Sequence, residues 1–281
     1  MPSDAIIIHK YEVIQKIGAG GFSTVYKAKH KTSQKLVALK IVKQSIHAKT
    51  ILNESKIISY INRELGSNLF PTLHWYGMFG KMTCLATTFY SGSFADILQD
   101  SINLHRFKRL DICSQLISLT QRIHDIFVIH CDIKPDNFMI NDSGKLVLID
   151  FGMARLYQTN KHIPNKMSET LFGTPKYASY YLHLGNRPSR RDDLISIGYI
   201  MMNVFDIDLP WCHEGLNQEC SKEICDIQHI SNIARMELKQ YDNLVKCLSG
   251  KYLLPYFKDV YALKYDDAPN YSLYDAIFTT L

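Results

Sequence analysis

From Tyr11 to Lys29 apolar and polar residues alternate with a period near two. YEVIQKI is followed by the glycine turn GAGGF and then by STVYKAK, which predicts a β-hairpin. The turn KTSQ (Lys31 to Gln34) leads into KLVALKIV, a third antiparallel strand. Over residues 48–62, AKTILNESKIISYIN, the period changes: Ile51, Ile58 and Ile61 recur at roughly helical spacing among polar residues. This predicts an amphipathic helix packed on that sheet. Phe70 to Tyr90 alternates again around Gly77 and Gly80 and predicts two more strands, after which SGS (Ser91 to Ser93) marks a connector. Beyond it the pattern turns helical. Leu110 to Val128 carries Ile112, Leu116, Ile117, Leu119 and Ile123, and Asp192 to Phe205 is apolar nearly all round, as in a helix buried in a large lobe. Only FMI (Phe138 to Ile140) and KLVLID (Lys145 to Asp150) interrupt this half as strands, with the turn NDSG between them. A last helix is expected over Ser272 to Leu281, with no tail after it. The class is α+β: a small antiparallel-sheet lobe with one main helix, then a larger, mostly helical lobe.

Composition narrows the chemistry. With 46% hydrophobic and 21% charged residues, 14 Gly and 9 Pro, the 281-residue chain is globular and neither collagenous nor largely disordered. A net charge of +5 is too weak to argue nucleic acid as the main partner. Lys161, Lys166, Lys176, Arg187, Arg190 and Arg191 nonetheless thicken one region, where an acidic or phosphorylated partner is conceivable. The seven cysteines (Cys84, Cys113, Cys131, Cys212, Cys220, Cys225, Cys247) form no C-x-x-C pair and follow no secretory signal, so they read as reduced thiols of an intracellular protein. Ala5 to Ile8 is too short for a signal core and no stretch is long enough to span a bilayer, so neither membrane nor nucleic-acid binding is expected.

Four motifs carry chemistry. IGAGGFSTVY (Ile17 to Tyr26) joins two strands, not a strand and a helix, and its glycines let backbone N–H groups approach a polyphosphate; alone it is a weak signal, since such a turn is more often only a turn. VALK places Lys40 on the returning strand, and NESK places Glu54 on the next helix, where the two can meet and hold α- and β-phosphates. Read separately, Lys40 is a solvated strand charge and Glu54 an exposed helix charge. VIHCDIKPDNFMI (Val128 to Ile140) is the strongest signal: His130, Asp132, Lys134 and Asn137 have the order of a phosphotransfer loop in which Asp takes the hydroxyl proton, Lys screens the phosphoryl group and Asn binds Mg²⁺. LIDFGMA adds Asp150, a carboxylate at a strand end able to hold Mg²⁺. The four appear in the required order on the required elements.

With these residues in view, the chain resembles a eukaryotic-type protein kinase domain, and within that group the casein kinase 1 family. DIKPDNFMI (Asp132 to Ile140), GTPKYASYYLHLG (Gly173 to Gly185), SRRDDLISIGYIMM (Ser189 to Met202), LPW (Leu209 to Trp211) and YDDAPNYSLYDAI (Tyr265 to Ile277) carry the narrower resemblance, and the A-P-E motif of most kinases is absent. The resemblance spans about Tyr11 to Leu281. It implies one kinase domain over residues 1–281, with an N-lobe over 1–90 and a C-lobe over 91–281, acting as a monomer that transfers the γ-phosphate of Mg²⁺-bound ATP to Ser or Thr of acidic proteins. It also implies roles. Asp132, Lys134, Lys40 and Glu54 would be catalytic. Ile17, Gly18, Ala19, Gly20, Gly21, Phe22, Val25, Ala38 and Lys40 would face ATP, with Thr87 at the back of the pocket and a hinge at Thr88, Phe89 and Tyr90. Asn137 and Asp150 would hold Mg²⁺, and Asp193 would brace the catalytic loop from the buried helix.

Three departures bear on function: Cys131 replaces the arginine of H-R-D, Ser23 replaces a loop glycine, and Glu214 to Ile230 lacks the lysine-rich stretch of family members. The first implies activity without activation-loop phosphorylation, since a thiol cannot pair with a phosphate as a guanidinium does. The last puts recognition of phosphate-primed substrates in doubt. A pseudokinase scaffold is the first alternative, and a small-molecule kinase, disfavoured by Gly173 to Ser179, the second.

Overall fold

Alternation in Leu36–Lys43 becomes a strand with two unlike faces. Val37, Leu39 and Ile41 are buried in an apolar cluster with Ile8, Tyr11, Ala28, Cys84 and Ala86, while Ala38 and Lys40 point the other way. The structure is a computed structural model and describes residues 6–20, 23–43, 48–66, 69–99, 104–158, 162–212, 226–248 and 252–279. In chain order the strands are β1 (Ile7–Ile8), β2 (Tyr11–Ala19), β3 (Thr24–His30), β4 (Leu36–Lys43), β5 (Leu73–Phe79), β6 (Met82–Thr88), β7 (Gly92–Ser93), β8 (Val128–Ile129), β9 (Phe138–Ile140), β10 (Leu146–Leu148) and β11 (Arg155–Leu156). The helices are α1 (Ala48–Leu65), α2 (Phe94–Gln99), α3 (Arg106–Asp125), α4 (Tyr180–His183), α5 (Arg190–Val204), α6 (Ile230–Leu238), α7 (Tyr241–Leu248), α8 (Leu254–Ala262) and α9 (Tyr271–Thr279). The chain divides into two compact units. One gathers the residues up to Gly92 with Met139–Met153, and the other comprises Ser93–Phe138 and the residues from Ala154 onward.

In the first unit six strands form one antiparallel sheet in the order β1-β2-β3-β4-β6-β5. Register aligns Gly18 with Val25, Val25 with Lys40, and Lys40 with Leu85, so one row crosses four strands on the face opposite the apolar cluster. Each side chain of this kind that leaves water adds roughly 1.5–3 kcal/mol, which fixes the register, since a one-residue slip would exchange the two faces. Helix α1 packs on β4, β5 and β6 and buries Ile51, Glu54, Ser55, Ile58 and Ile61, an i, i+3, i+4, i+7, i+10 stripe that includes one carboxylate. The hairpin of β9 and β10 turns at Asn141, whose Oδ1 accepts from the N–H groups of Ser143 and Lys145. Leu146, Val147 and Leu148 are buried, and the chain leaves them at Asp150.

In the second unit α3, α5, α8 and α9 pack on one another. Helix α5 is buried from Arg191 to Met202 and again at Val204, and Trp211, Tyr256, Phe257 and Tyr274 pack around it, the first and third against its own Tyr199. Its start is fixed by Asp192, whose Oδ2 accepts from the N–H and the hydroxyl of Ser189. The apolar pattern predicts a helix reaching Val128, but α3 stops at Asp125. Phe127 has φ 65°, a left-handed conformation that cannot continue a helix, and Val128 and Ile129 pair instead with Leu156 and Arg155. Helices α6, α7 and α8, of 9, 8 and 9 residues, carried no sequence expectation.

Candidate active site

The face of the sheet that carries Lys40 gathers one group of the sequence-predicted residues. Lys40 Nζ lies 2.9 Å from Glu54 Oε2 and 2.8 Å from Asp150 Oδ1. Helix α1 supplies Glu54 because position 54 falls on its buried stripe, where the residue is only 4% exposed. Burial works against the Lys40 ammonium, but Glu54 and Asp150 together outweigh it and raise its pKa. Two carboxylates thus share one cation. Burial, and then the neighbouring Asp150, push Glu54 up to about 7 against the pull of Lys40. Asp150 has φ 59°, a strained conformation for a residue with a side chain, and Gly152 N–H donates to its Oδ1 at 3.3 Å. Phe151 behind it is fully buried against Phe70.

The second unit holds the other group. The backbone N–H groups of His130 and Cys131 both donate to Asp193, at 2.7 and 3.0 Å, and His124 Nε2 lies 3.0 Å from the same carboxylate. Helix α5 is therefore tied to the loop at a point where Cys131 has φ 68°. Asn137 Nδ2 donates to Asp132 O at 2.7 Å, which ties its amide to the loop. Lys134 Nζ sits 2.9 Å from Asp132 Oδ2. A residue to which the sequence reading gave no role completes the cluster: Thr174 donates to Asp132 Oδ1 from both its N–H and its hydroxyl, each at 2.8 Å, and its hydroxyl accepts from Lys134 Nζ at 2.9 Å. Gly173 permits this. Its φ is 81°, and a Cβ there would lie 2.8 Å from Cys131 O.

A family model described as a protein kinase domain matches residues 11–254. The chain belongs to the protein kinase family. Its sheet and helical regions are those of the α+β bilobal kinase fold, and membership implies ATP, typically with Mg²⁺.

The remaining sequence-predicted residues of the kinase domain fall into three groups. Gly18, Val25, Ala38 and Thr87 lie on the Lys40 face by register, while Ile17 sits at a β-bulge of β2 and is 44% exposed beside Ala19. Thr88 belongs to the other face. Its hydroxyl accepts from Thr72 N–H at 3.1 Å and its own N–H donates to Thr72 O at 3.1 Å, so neither its side chain nor its N–H is left for a nucleotide. Phe89 lies under Lys27 Nζ at 4.9 Å, and burial raises the Tyr90 phenol above its ordinary pKa. Gly21 and Phe22 lie outside the described residues, and Gly20 N–H donates to Ser23 O across them.

The residues fit a magnesium nucleotide. Neither Gly18 nor Gly20 has a positive φ, and a Cβ on either would meet nothing closer than 3.8 Å. The turn itself does not require glycine there, whereas close approach of a phosphate does. Asp150, with its side chain 44% exposed, and the amide oxygen of Asn137 are hard oxygen donors of the kind Mg²⁺ takes.

Cys131 is 4% exposed, and burial, with Asp193 adding to it, raises its thiol pKa well above the ordinary value, so it is no nucleophile. Arg190 and Arg191 are not free for an anionic substrate. Arg190 stacks on Tyr157 and bonds Asp266 O, and Arg191 stacks on Tyr181 at 3.5 Å and reaches Leu263 O. Lys176 and Lys166 are exposed, while Lys161 and residues 214–225 of the lysine-poor stretch lie outside the described residues. Thr174 had a signal in the sequence, since it follows a glycine in the G-T-x-x-Y-A-S segment.

Proposed function

We propose that this kinase is an active serine/threonine kinase of the casein kinase 1 type, monomeric, intracellular and working on acidic proteins without prior activation-loop phosphorylation. The observation that carries the reading is the Asp132, Lys134 and Thr174 cluster. Asp132 Oδ1 is aimed by two donors from Thr174, and Asp132 Oδ2 is left to Lys134 and a weak contact from Asn137 at 3.3 Å. A carboxylate held this way is oriented to accept the proton of an incoming Ser or Thr hydroxyl. Lys134, between Asp132 and Thr174, places a positive charge where the transferring group's negative charge grows. ATP supplies the phosphoryl group, and Mg²⁺ neutralises its charge. Asn137 and Asp150 would bind the metal, Lys40, held by Glu54, would bind the phosphates, and the row Gly18, Val25, Ala38 and Thr87 would face the nucleotide. The exposed Lys166 and Lys176, with Arg190 and Arg191 engaged elsewhere, support a modest preference for acidic sequences.

The test is transfer of labelled γ-phosphate from Mg·ATP to casein, an acidic acceptor, run beside Asp132→Asn. Transfer by the intact protein and none by the variant is expected. No transfer by either would promote the scaffold reading.

A further inference from the structure

Residues 175–178 follow Thr174 in a turn closed by the N–H groups of Tyr177 and Ala178, which donate to Thr174 O at 2.9 and 2.8 Å, and each of their own carbonyls is taken by a side chain from elsewhere in the second unit. Lys239 Nζ donates to Pro175 O at 2.8 Å and to Ala178 O at 2.6 Å; Trp211 Nε1 donates to Lys176 O at 2.8 Å; Ser196 Oγ donates to Tyr177 O at 2.7 Å. Lys239 caps the C-terminal end of α6 and is fully buried. It forms no ion pair among the described residues. Its other neighbours are His183 Nε2 at 3.2 Å and the faces of Trp211 and Tyr199, 5.0 and 5.2 Å away. Burial pulls its pKa well below the ordinary lysine value. A charge so placed is costly unless its bonds serve something. What it holds is the backbone that begins at Thr174 and thereby aims Asp132.

We propose that Lys239 is a positioning residue for the peptide substrate: its buried ammonium, with Ser196 and Trp211, clamps the backbone of residues 175–178 in the form that presents Thr174 to Asp132. The clamp is built from the folded core and involves no phosphate on the chain. This deepens the proposed function and rests on the role it gives to Asp132 and Thr174.

The experiment compares wild type with Lys239→Met, which keeps the unbranched stem of the side chain and removes its donors, and with Lys239→Arg, which keeps a cation. For Lys239→Met, kcat/KM for peptide should fall roughly tenfold or more, with KM for ATP within about twofold of wild type. Lys239→Arg should recover part of the loss. Unchanged peptide kinetics, or peptide and ATP constants that worsen together with the folded fraction, would overturn the proposal. Should Lys239→Met not fold, Ser196→Ala removes the neighbouring donor alone. A fall in peptide kcat/KM at constant KM for ATP supports the clamp, and no change overturns it. If wild type transfers no phosphate, the catalytic reading fails on its own account. Hydrogen exchange over residues 174–183 then still reads the clamp: faster exchange in Lys239→Met supports it, and equal exchange overturns it.

Discussion

Thr174→Val keeps the branched shape of the side chain and removes one hydroxyl. That hydroxyl donates to Asp132 Oδ1 at 2.8 Å and accepts from Lys134 Nζ at 2.9 Å, so two charge-assisted hydrogen bonds go at once. Each such bond is worth about 1.5–3 kcal/mol. The variant retains the Thr174 N–H donor to Asp132 and the 2.9 Å contact between Lys134 and Asp132 Oδ2, so part of the orientation survives. A net loss of about 2–3 kcal/mol in transition-state stabilisation corresponds to roughly 30- to 150-fold in kcat. Thr174 contacts Asp132 and Lys134, both within the second unit, so KM for ATP should not move. Its side chain is half-buried, and the melting temperature should change by no more than a few degrees. Initial rates of labelled phosphate transfer to a peptide at saturating Mg·ATP give the answer, with Thr174→Ser expected to restore most of the activity. A Thr174→Val enzyme within threefold of wild type, or a Thr174→Ser enzyme as slow as Thr174→Val, would refute the reasoning.

Asp150→Ala should abolish transfer while leaving the melting curve close to wild type, because that side chain is 44% exposed and supports little of the core; appreciable residual turnover would defeat its assignment. Glu54 gives a pH prediction for the metal-free, nucleotide-free protein. Its folded pKa of about 7 lies above the ordinary 4.5, so the folded state binds the extra proton, and this contribution is full below pH 4.5 and lost as pH rises through 7. The loss should amount to no more than about 3.4 kcal/mol. Denaturant unfolding in the presence of a chelator should show it for wild type and not for Glu54→Gln, and equal slopes in the two would refute it. Activity should survive exhaustive phosphatase treatment, and Thr170→Ala should change it little, since Thr170 is exposed and Cys131 offers a phosphate no guanidinium. Silencing by phosphatase would mean that another basic residue binds a loop phosphate.

The α+β class and the order of the motifs were legible along the chain because each motif is contiguous. A glycine turn between strands, a loop containing Asp132, Lys134 and Asn137, and an Asp-Phe-Gly turn each need only a few neighbouring residues to state their chemistry. The two-residue alternation of β4 and the helical stripe of α1 were equally local, because burial of one face leaves a period in the sequence. Tertiary structure decided what depends on partners far apart in the chain. Glu54 reads alone as an exposed helix charge, and only packing on the sheet makes it a buried carboxylate sharing Lys40 with Asp150. Arg190 and Arg191 count in the sequence only as part of a basic region, but aromatic rings and backbone carbonyls 10 to 76 residues away occupy them. Phe127 ends a helix whose apolar pattern runs on, because the strand pairing of Val128 and Ile129 outweighs their weak helical preference. Thr174 and Lys239 gained their significance only when the fold carried them 42 residues back to Asp132 and 61 residues back to Ala178. A polar residue's neighbours in sequence do not reveal which buried group it will satisfy; that is settled by the three-dimensional requirement that every buried donor, acceptor and charge find a partner.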